Sequence, residues 1–178
     1  MFQKMEVPCQ KHILLQTLRI MELSGEILAG YFFENIPGLQ FISFDSFRHL
    51  QEPLPEDAIY WLNTTDPVSL CGISVDAIKN DLPYRNSSTV IVFRGSKKVV
   101  VSRSTFRKID IFVPPGDPLL PEYFSFFKDH MSRQFNPVKK IRIEEVNGGN
   151  PSKSDYLPAF KKFGFEVNYK SLELWKSY

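Results

Sequence analysis

The chain has little cysteine, no long apolar run and no clustered histidine, and each shortage removes a class of function. Two cysteines in 178 residues, Cys9 and Cys71, fit no zinc or redox spacing. They read as reduced thiols, which predicts a cytoplasmic protein. The apolar runs are about a strand in length, well short of the roughly 20 residues that span a bilayer. The opening residues, MFQKMEVPCQKH, lack the apolar stretch of a secretory signal. Membrane partners are therefore not expected, and Asn63-Thr64-Thr65 and Asn86-Ser87-Ser88 are chance matches to a glycosylation sequon.

Catalytic patterns are scarce as well. No GxxxxGK[ST] occurs, and FRGSKK lacks both the first glycine and the strand-to-helix setting of a phosphate loop. His12, His49 and His130 stand apart, so no metal site and no nucleophile–base pair can be assembled from spacing. Glu144 and Glu145 are adjacent on a strand pattern and point to opposite faces, so they do not share one substrate. No catalytic centre is expected within this chain.

What is present is a globular composition, 43% hydrophobic and 24% charged. Leu14, Leu18 and Met21 fall at helical spacing and Ser24-Gly25 supplies a left-handed stop. EILAGYFF and LQFISF then form two β-prone runs around the turn former Asn35-Ile36-Pro37-Gly38. Helix, glycine stop and hairpin suggest the last helix and wing of a winged helix. Because this begins close to Met1, the chain reads as the back end of something larger. FDSFRHL predicts a short helix capped by Asp45 or Ser43, and the Pro-rich, acidic stretch Glu52 to Asp57 reads as a boundary. Two domains are expected, residues 1–53 and 54–178.

In the second, AIYWLNTT is a strand, and residues 68–88 are loops with a short helix. TVIVF and KVVVS form a hairpin around Arg94-Gly95-Ser96-Lys97, and FRKIDIFV is a third strand. One helix is expected from Asp117-Pro118 to about Gln134, then the strand KKIRIEEV. A last helix runs from near Ser154 to Gly164, and FEVNY and SLELW close the chain as strands. The predicted class is α+β: a partial winged helix, then a mixed β-sheet domain with two helices packed on it.

Charge is uneven. Residues 1–53 hold four basic and six acidic groups, and residues 54–178 hold eighteen and fourteen. Arg94, Lys97, Lys98, Arg103, Arg107 and Lys108 lie within fifteen residues containing no acid. Such a basic run suits phosphate, as does the smaller set Lys139, Lys140 and Arg142. Most of the sixteen Phe, seven Tyr and two Trp fall on buried stripes. Tyr31, Trp61 and Tyr84 sit where stacking on a base is open to them.

Four stretches occur in one order: LRIMELSGEILAGYF, LNTTDPVSLCGI, VIVFRGSKKVVVSR and IRIEEVNGGNPSKSDYLPAFKKFGF. Together they resemble the Lhr-type, large helicase-related proteins, which are superfamily 2 ATP-dependent helicases. The resemblance spans about residues 14–174. It implies the end of a winged helix plus the family's following β-rich domain, from a C-terminal region. It implies no cofactor in this chain, with ATP and Mg belonging to ATPase lobes elsewhere in a full-length helicase. The implied partners are single-stranded DNA, with RNA or a hybrid duplex as alternatives, and those ATPase lobes. Two other readings accompany it: a glycosylase-like base-excision module using Asp110 or Glu144, and a purely structural docking domain.

Overall fold

The computed structural model describes residues 8–34, 36–53, 55–73, 81–135 and 137–176, with side chains from residue 12 onward. The chain divides into two compact units, Met1–Pro53 and Leu54–Tyr178. Among the described residues no helix is long and apolar enough to cross a membrane.

In the first unit, α1 spans Pro8–Leu23. Gly25 ends it at φ +77°. The Glu26 amide donates to the Met21 carbonyl at 2.9 Å and the Gly25 amide to Glu22 at 3.1 Å, the paired bonds of a Schellman stop. Strands β1 (Ile27–Gly30) and β2 (Gln40–Ser43) pair antiparallel, with Ile27 opposite Ser43. α2 covers Phe44–Gln51. Of the two expected caps Ser43 serves, accepting from the Ser46 amide at 3.2 Å, while Asp45 pairs with Arg48 at 3.1 Å. Phe32 packs edge-on against Phe47, with ring centroids 5.9 Å apart. Of the turn former at 35–38, Asn35 lies outside the described residues.

The second unit holds two sheets where one was expected. The larger has the order β3-β4-β5-β6-β8, from β3 (Ile59–Asn63), β4 (Val90–Arg94), β5 (Lys97–Arg103), β6 (Lys108–Ile111) and β8 (Glu145–Val146). The smaller has the order β7-β10-β9, from β7 (Lys140–Ile143), β9 (Glu166–Asn168) and β10 (Ser171–Trp175). The run KKIRIEEV therefore breaks at Glu144. Its first half pairs antiparallel with β10, and its second half pairs parallel with β6, which makes the larger sheet mixed.

Two further expectations change. The helix foreseen from Asp117 to Gln134 is two, α3 (Leu120–Tyr123) and α4 (Ser125–Ser132). Phe124, at φ −85° and ψ −2°, joins them, and this bend lets Tyr123, Phe124, Phe126 and Phe127 all reach the core. The strand foreseen from Phe106 starts instead at Lys108. Ser104, Thr105 and Phe106 take left-handed backbone, which turns the Phe106 ring inward against Phe127 and His130. From Lys108 onward alternation is clean, with Ile109 and Ile111 buried and Phe112 exposed.

α5 (Leu157–Phe163) starts with Pro158 in its first turn and ends at Gly164, φ +118°, as expected. A 3-10 turn at Pro151–Lys153 precedes it. Phe124 stacks on Phe160 with centroids 4.5 Å apart and planes 8° apart, and Phe165 closes edge-on over Phe160 and Phe127. This aromatic core joins the three helices to Val90, Val92 and Val100 of the larger sheet and to Ile141, Ile143 and Leu172 of the smaller. The opposite face of the larger sheet carries Ile91 and Val101 under Cys71 and Leu82.

Of residues 68–88, the described parts 68–73 and 81–88 hold turns and no helix, and 74–80 lie outside the described residues. The two sequon-like triplets have a structural role. Each Asn side chain accepts from the amide two residues on, and Thr64 and Asn86 exchange hydrogen bonds at 2.6 and 2.8 Å.

Candidate nucleic-acid interface

The basic run between Arg94 and Lys108 contains no acid in sequence, yet folding supplies one for most of its members. Arg94 bonds the Asp57 carboxylate at 2.6 Å, and Lys98 reaches Asp81 at 2.9 Å. Arg103 pairs with Asp110, and Lys108 with Glu145 at 2.8 Å. In the second set Lys140 pairs with Glu173 at 2.8 Å and Arg142 approaches Glu144 at 3.6 Å. Lys97, Arg107 and Lys139 have no carboxylate partner among the described residues. The expected uncompensated ribbon is thus corrected to a largely neutralised one. The reason is tertiary: Asp57, Asp81, Glu145 and Glu173 come from segments distant in sequence.

Strand geometry divides the cations further. Lys98 stands opposite Phe93, and Arg103 opposite Lys108, on the face away from the helices. Arg94 faces the other way, beside the buried Tyr123. The Asp57 carboxylate, hydrogen-bonded to it, holds the Arg94 guanidinium above its ordinary value. Burial raises the Tyr123 hydroxyl, with Arg94 pulling the other way. That hydroxyl has no hydrogen-bond partner at ordinary distance. Arg107 follows the left-handed turn, its carbonyl accepting from the amides of Glu144 and Glu145 at 2.8 and 3.1 Å.

The hairpin turn closes on Gly95. Gly95 has φ +56°, and a Cβ there would meet the Glu56 carbonyl oxygen at 2.6 Å, so only glycine fits this position.

The three aromatic candidates separate. Tyr31, in the first unit after β1, is 79% exposed, and Tyr84 is 88% exposed. Tyr84 follows a loop whose Asp81, Leu82 and Pro83 line a cavity of about 520 Å³ with Lys98, Arg103, Asp110 and Phe112. Trp61 is corrected: its indole N–H donates to Asp129 at 2.7 Å, its ring lies 4.6 Å from His130, and Arg133 covers it at 5.5 Å. It joins β3 to α4 and is not free to take a base.

A second cation–aromatic arrangement carried no sequence signal. A groove of about 560 Å³ between α4, the end of α5 and the end of β10 is lined by Lys128, Phe163, Trp175 and Lys176, with Met131 and Leu174 beneath. Lys128 Nζ lies 4.8 Å over the Phe163 ring and Lys140 Nζ lies 4.4 Å over Trp175. These residues come from separate stretches, around Lys128, Lys140, Phe163 and Trp175, and carry no shared spacing.

Known proteins share stretches of this sequence. Residues 1–62 match the family model described as the large helicase-related protein, winged-helix domain. The match runs past the first unit into β3. The chain is also similar to a Lhr helicase/uracil glycosylase of Escherichia coli (strain K12), 24% identical over 169 residues. That alignment covers 89% of this chain and spans 11% of the relative's length. Both matches agree with the α+β architecture and with the helix, hairpin and helix of the first unit. Residues 1–62 are thus similar to the winged-helix domain of the large helicase-related proteins, and most of the chain is similar to part of a Lhr helicase/uracil glycosylase.

Proposed function

We propose that this chain is an accessory nucleic-acid-binding region of an ATP-dependent DNA helicase, holding single-stranded DNA and docking on ATPase lobes carried elsewhere. The observation that carries the reading is the winged-helix match, joined to a relative whose name includes helicase. Two structural features support it. α1 exposes Ile13, Leu14, Leu15, Ile20 and Leu23, an apolar surface suited to burial against another protein body. The second unit keeps cations without carboxylate partners, which is what release of counterions from a phosphate backbone requires. A cytoplasmic location accords with this role.

Fluorescence anisotropy with labelled single strands tests the DNA arm. Binding is expected at low salt and weakens steeply as salt rises. Charge reversal at Lys97 and Arg107 lowers affinity more than reversal at Lys98 or Arg103, whose charges are already matched. No binding at low salt, or binding indifferent to salt, overturns the reading.

A second reading is base excision, favoured by the word glycosylase in the relative's name. Under it Asp110, which lines the cavity beneath Tyr84's loop, is the carboxylate beside a flipped base. Glu144, half exposed beside Arg142, lines none of the cavities described above. Incubation with uracil-containing DNA decides it: an abasic product that Asp110→Asn abolishes supports this reading, and no product removes it.

A further inference from the structure

Unmatched positive charge in the second unit is not confined to the hairpin and the turn after β5; the helical side carries it as well. Lys128 on α4, Lys161 and Lys162 in the last turn of α5, and Lys176 after β10 have no carboxylate partner among the described residues. Lys128 and Lys176 line the groove, and Lys161 and Lys162 lie beside its Phe163 and Gly164. The Lys176 amide donates to the Lys139 carbonyl at 3.1 Å, which brings Lys139 to the same end of the small sheet. The acid among the lining residues is Glu166.

The exposed indole is held in place. Glu173 is buried on β10, and its carboxylate pins Lys140 with the ammonium 4.4 Å over the Trp175 ring. Lys140, and then Asn168, hold the Glu173 carboxyl below its ordinary value, so it is a carboxylate at neutral pH. Trp175 remains 57% exposed. Phe163 faces the same space under Lys128. Trp175 shares the outer face of β10 with Glu173 and Lys140, so its exposed indole stands at the mouth of the groove rather than across it from Phe163. An exposed ring fixed by a cation, beside unmatched lysines, is what a single-stranded nucleic acid needs. Bases stack on the rings, and phosphates meet the ammonium groups. A volume near 560 Å³ is within the range of small-ligand sites, about 300–1,000 Å³.

We infer that the groove between α4, α5 and β10 binds single-stranded nucleic acid, with Trp175 as the stacking platform and Lys128 and Lys176 as the phosphate contacts. The inference rests on the nucleic-acid reading above and assigns it a surface away from the hairpin.

The test uses the full 178-residue chain and short labelled oligo-dT, read by anisotropy and by intrinsic tryptophan emission. Trp61 is covered and bonded, so quenching by oligo-dT reports mainly on Trp175. Trp175→Phe is expected to remove the quench, and Trp175→Ala to weaken binding about tenfold, the effect of losing one stacked base. The pair Lys128→Glu and Lys176→Glu is expected to weaken binding at least as much and to flatten the salt dependence by about 1.4 in slope. Lys128 is exposed and Trp175→Phe keeps an aromatic cover, so circular dichroism should find these variants folded. If the native chain binds oligo-dT and these variants bind equally well, the groove assignment is wrong while the nucleic-acid reading stands. If the native chain binds no oligo-dT at low salt, both fall. If poly-glutamate displaces oligo-dT at equal charge concentration, the groove is a general polyanion or acidic-peptide surface and the assignment is overturned.

Discussion

His130 shows how one side chain acquires a pH role from its surroundings. It is buried between Trp61 and Phe106, and its Nδ1–H donates to the Phe126 carbonyl at 2.7 Å. Burial first, opposed by the Phe126 bond, lowers its pKa below the ordinary value near 6.5; Arg133 adds to the lowering and Asp129 resists it. The unfolded chain therefore takes up a proton that the folded chain refuses. This contribution to stability is complete above about pH 6.5 and is lost as pH falls from there toward the folded value. Urea titrations from pH 8 to 5 should show that decline, and His130→Gln should flatten it. Glu173 acts at lower pH. Held below the ordinary carboxylate value by Lys140, it stabilises the fold above about pH 4.3 and ceases to do so as pH drops further. Glu173→Gln should remove that acid limb while leaving the His130 window in place. The packing term at this scale is larger. Phe160 is fully buried and stacked on Phe124, so Phe160→Ala should cost about 3–5 kcal/mol in chemical denaturation.

Elements depend on a few positions where the backbone takes a left-handed turn. Gly95 closes the β4–β5 hairpin, with its amide donating to Ala58 at 2.8 Å and Glu56 pressed against its α carbon. Gly95→Ala should destabilise by at least about 1–2 kcal/mol from backbone strain alone, read as a lower thermal midpoint. Gly164 ends α5 with more room, since a Cβ there meets Leu174 at 3.4 Å. Helix and strand existence was legible because periodicity and stop signals are local: Ser24-Gly25, Ser43, Pro158 and Gly164 all serve as read. The two misread elements share another cause. Phe124 has ordinary helical propensity, and nothing local marks the bend that the packing of Phe126 and Phe127 imposes. Ser104, Thr105 and Phe106 avoid left-handed backbone when isolated, and burial of the Phe106 ring holds them there.

At the scale of the whole molecule the division at Pro53 and Leu54 carries a prediction. Residues 54–178 should fold alone, since the aromatic core lies wholly within them. Expressed without the first 53 residues, they should give a cooperative melt, and a featureless one would show that the first unit is needed. The first unit, with an apolar α1 surface exposed, should be the part that associates or loses structure when isolated.

The amino-acid sequence by itself determined the α+β class, the order of helices and strands, the glycine stops and the stretch that resembles a helicase-related region. These follow from propensity and spacing, which act over a few residues. Only the tertiary structure decided which charges are free. Attraction between Arg94 and Asp57, Lys98 and Asp81, or Lys140 and Glu173 depends on separation in space, and the chain distances of 37, 17 and some thirty residues hide it. A basic run counted along the chain was therefore no measure of the surface field. The tertiary fold also drew Lys128, Phe163, Trp175 and Lys176 around one groove, because α4, α5 and β10 meet over the same phenylalanine core.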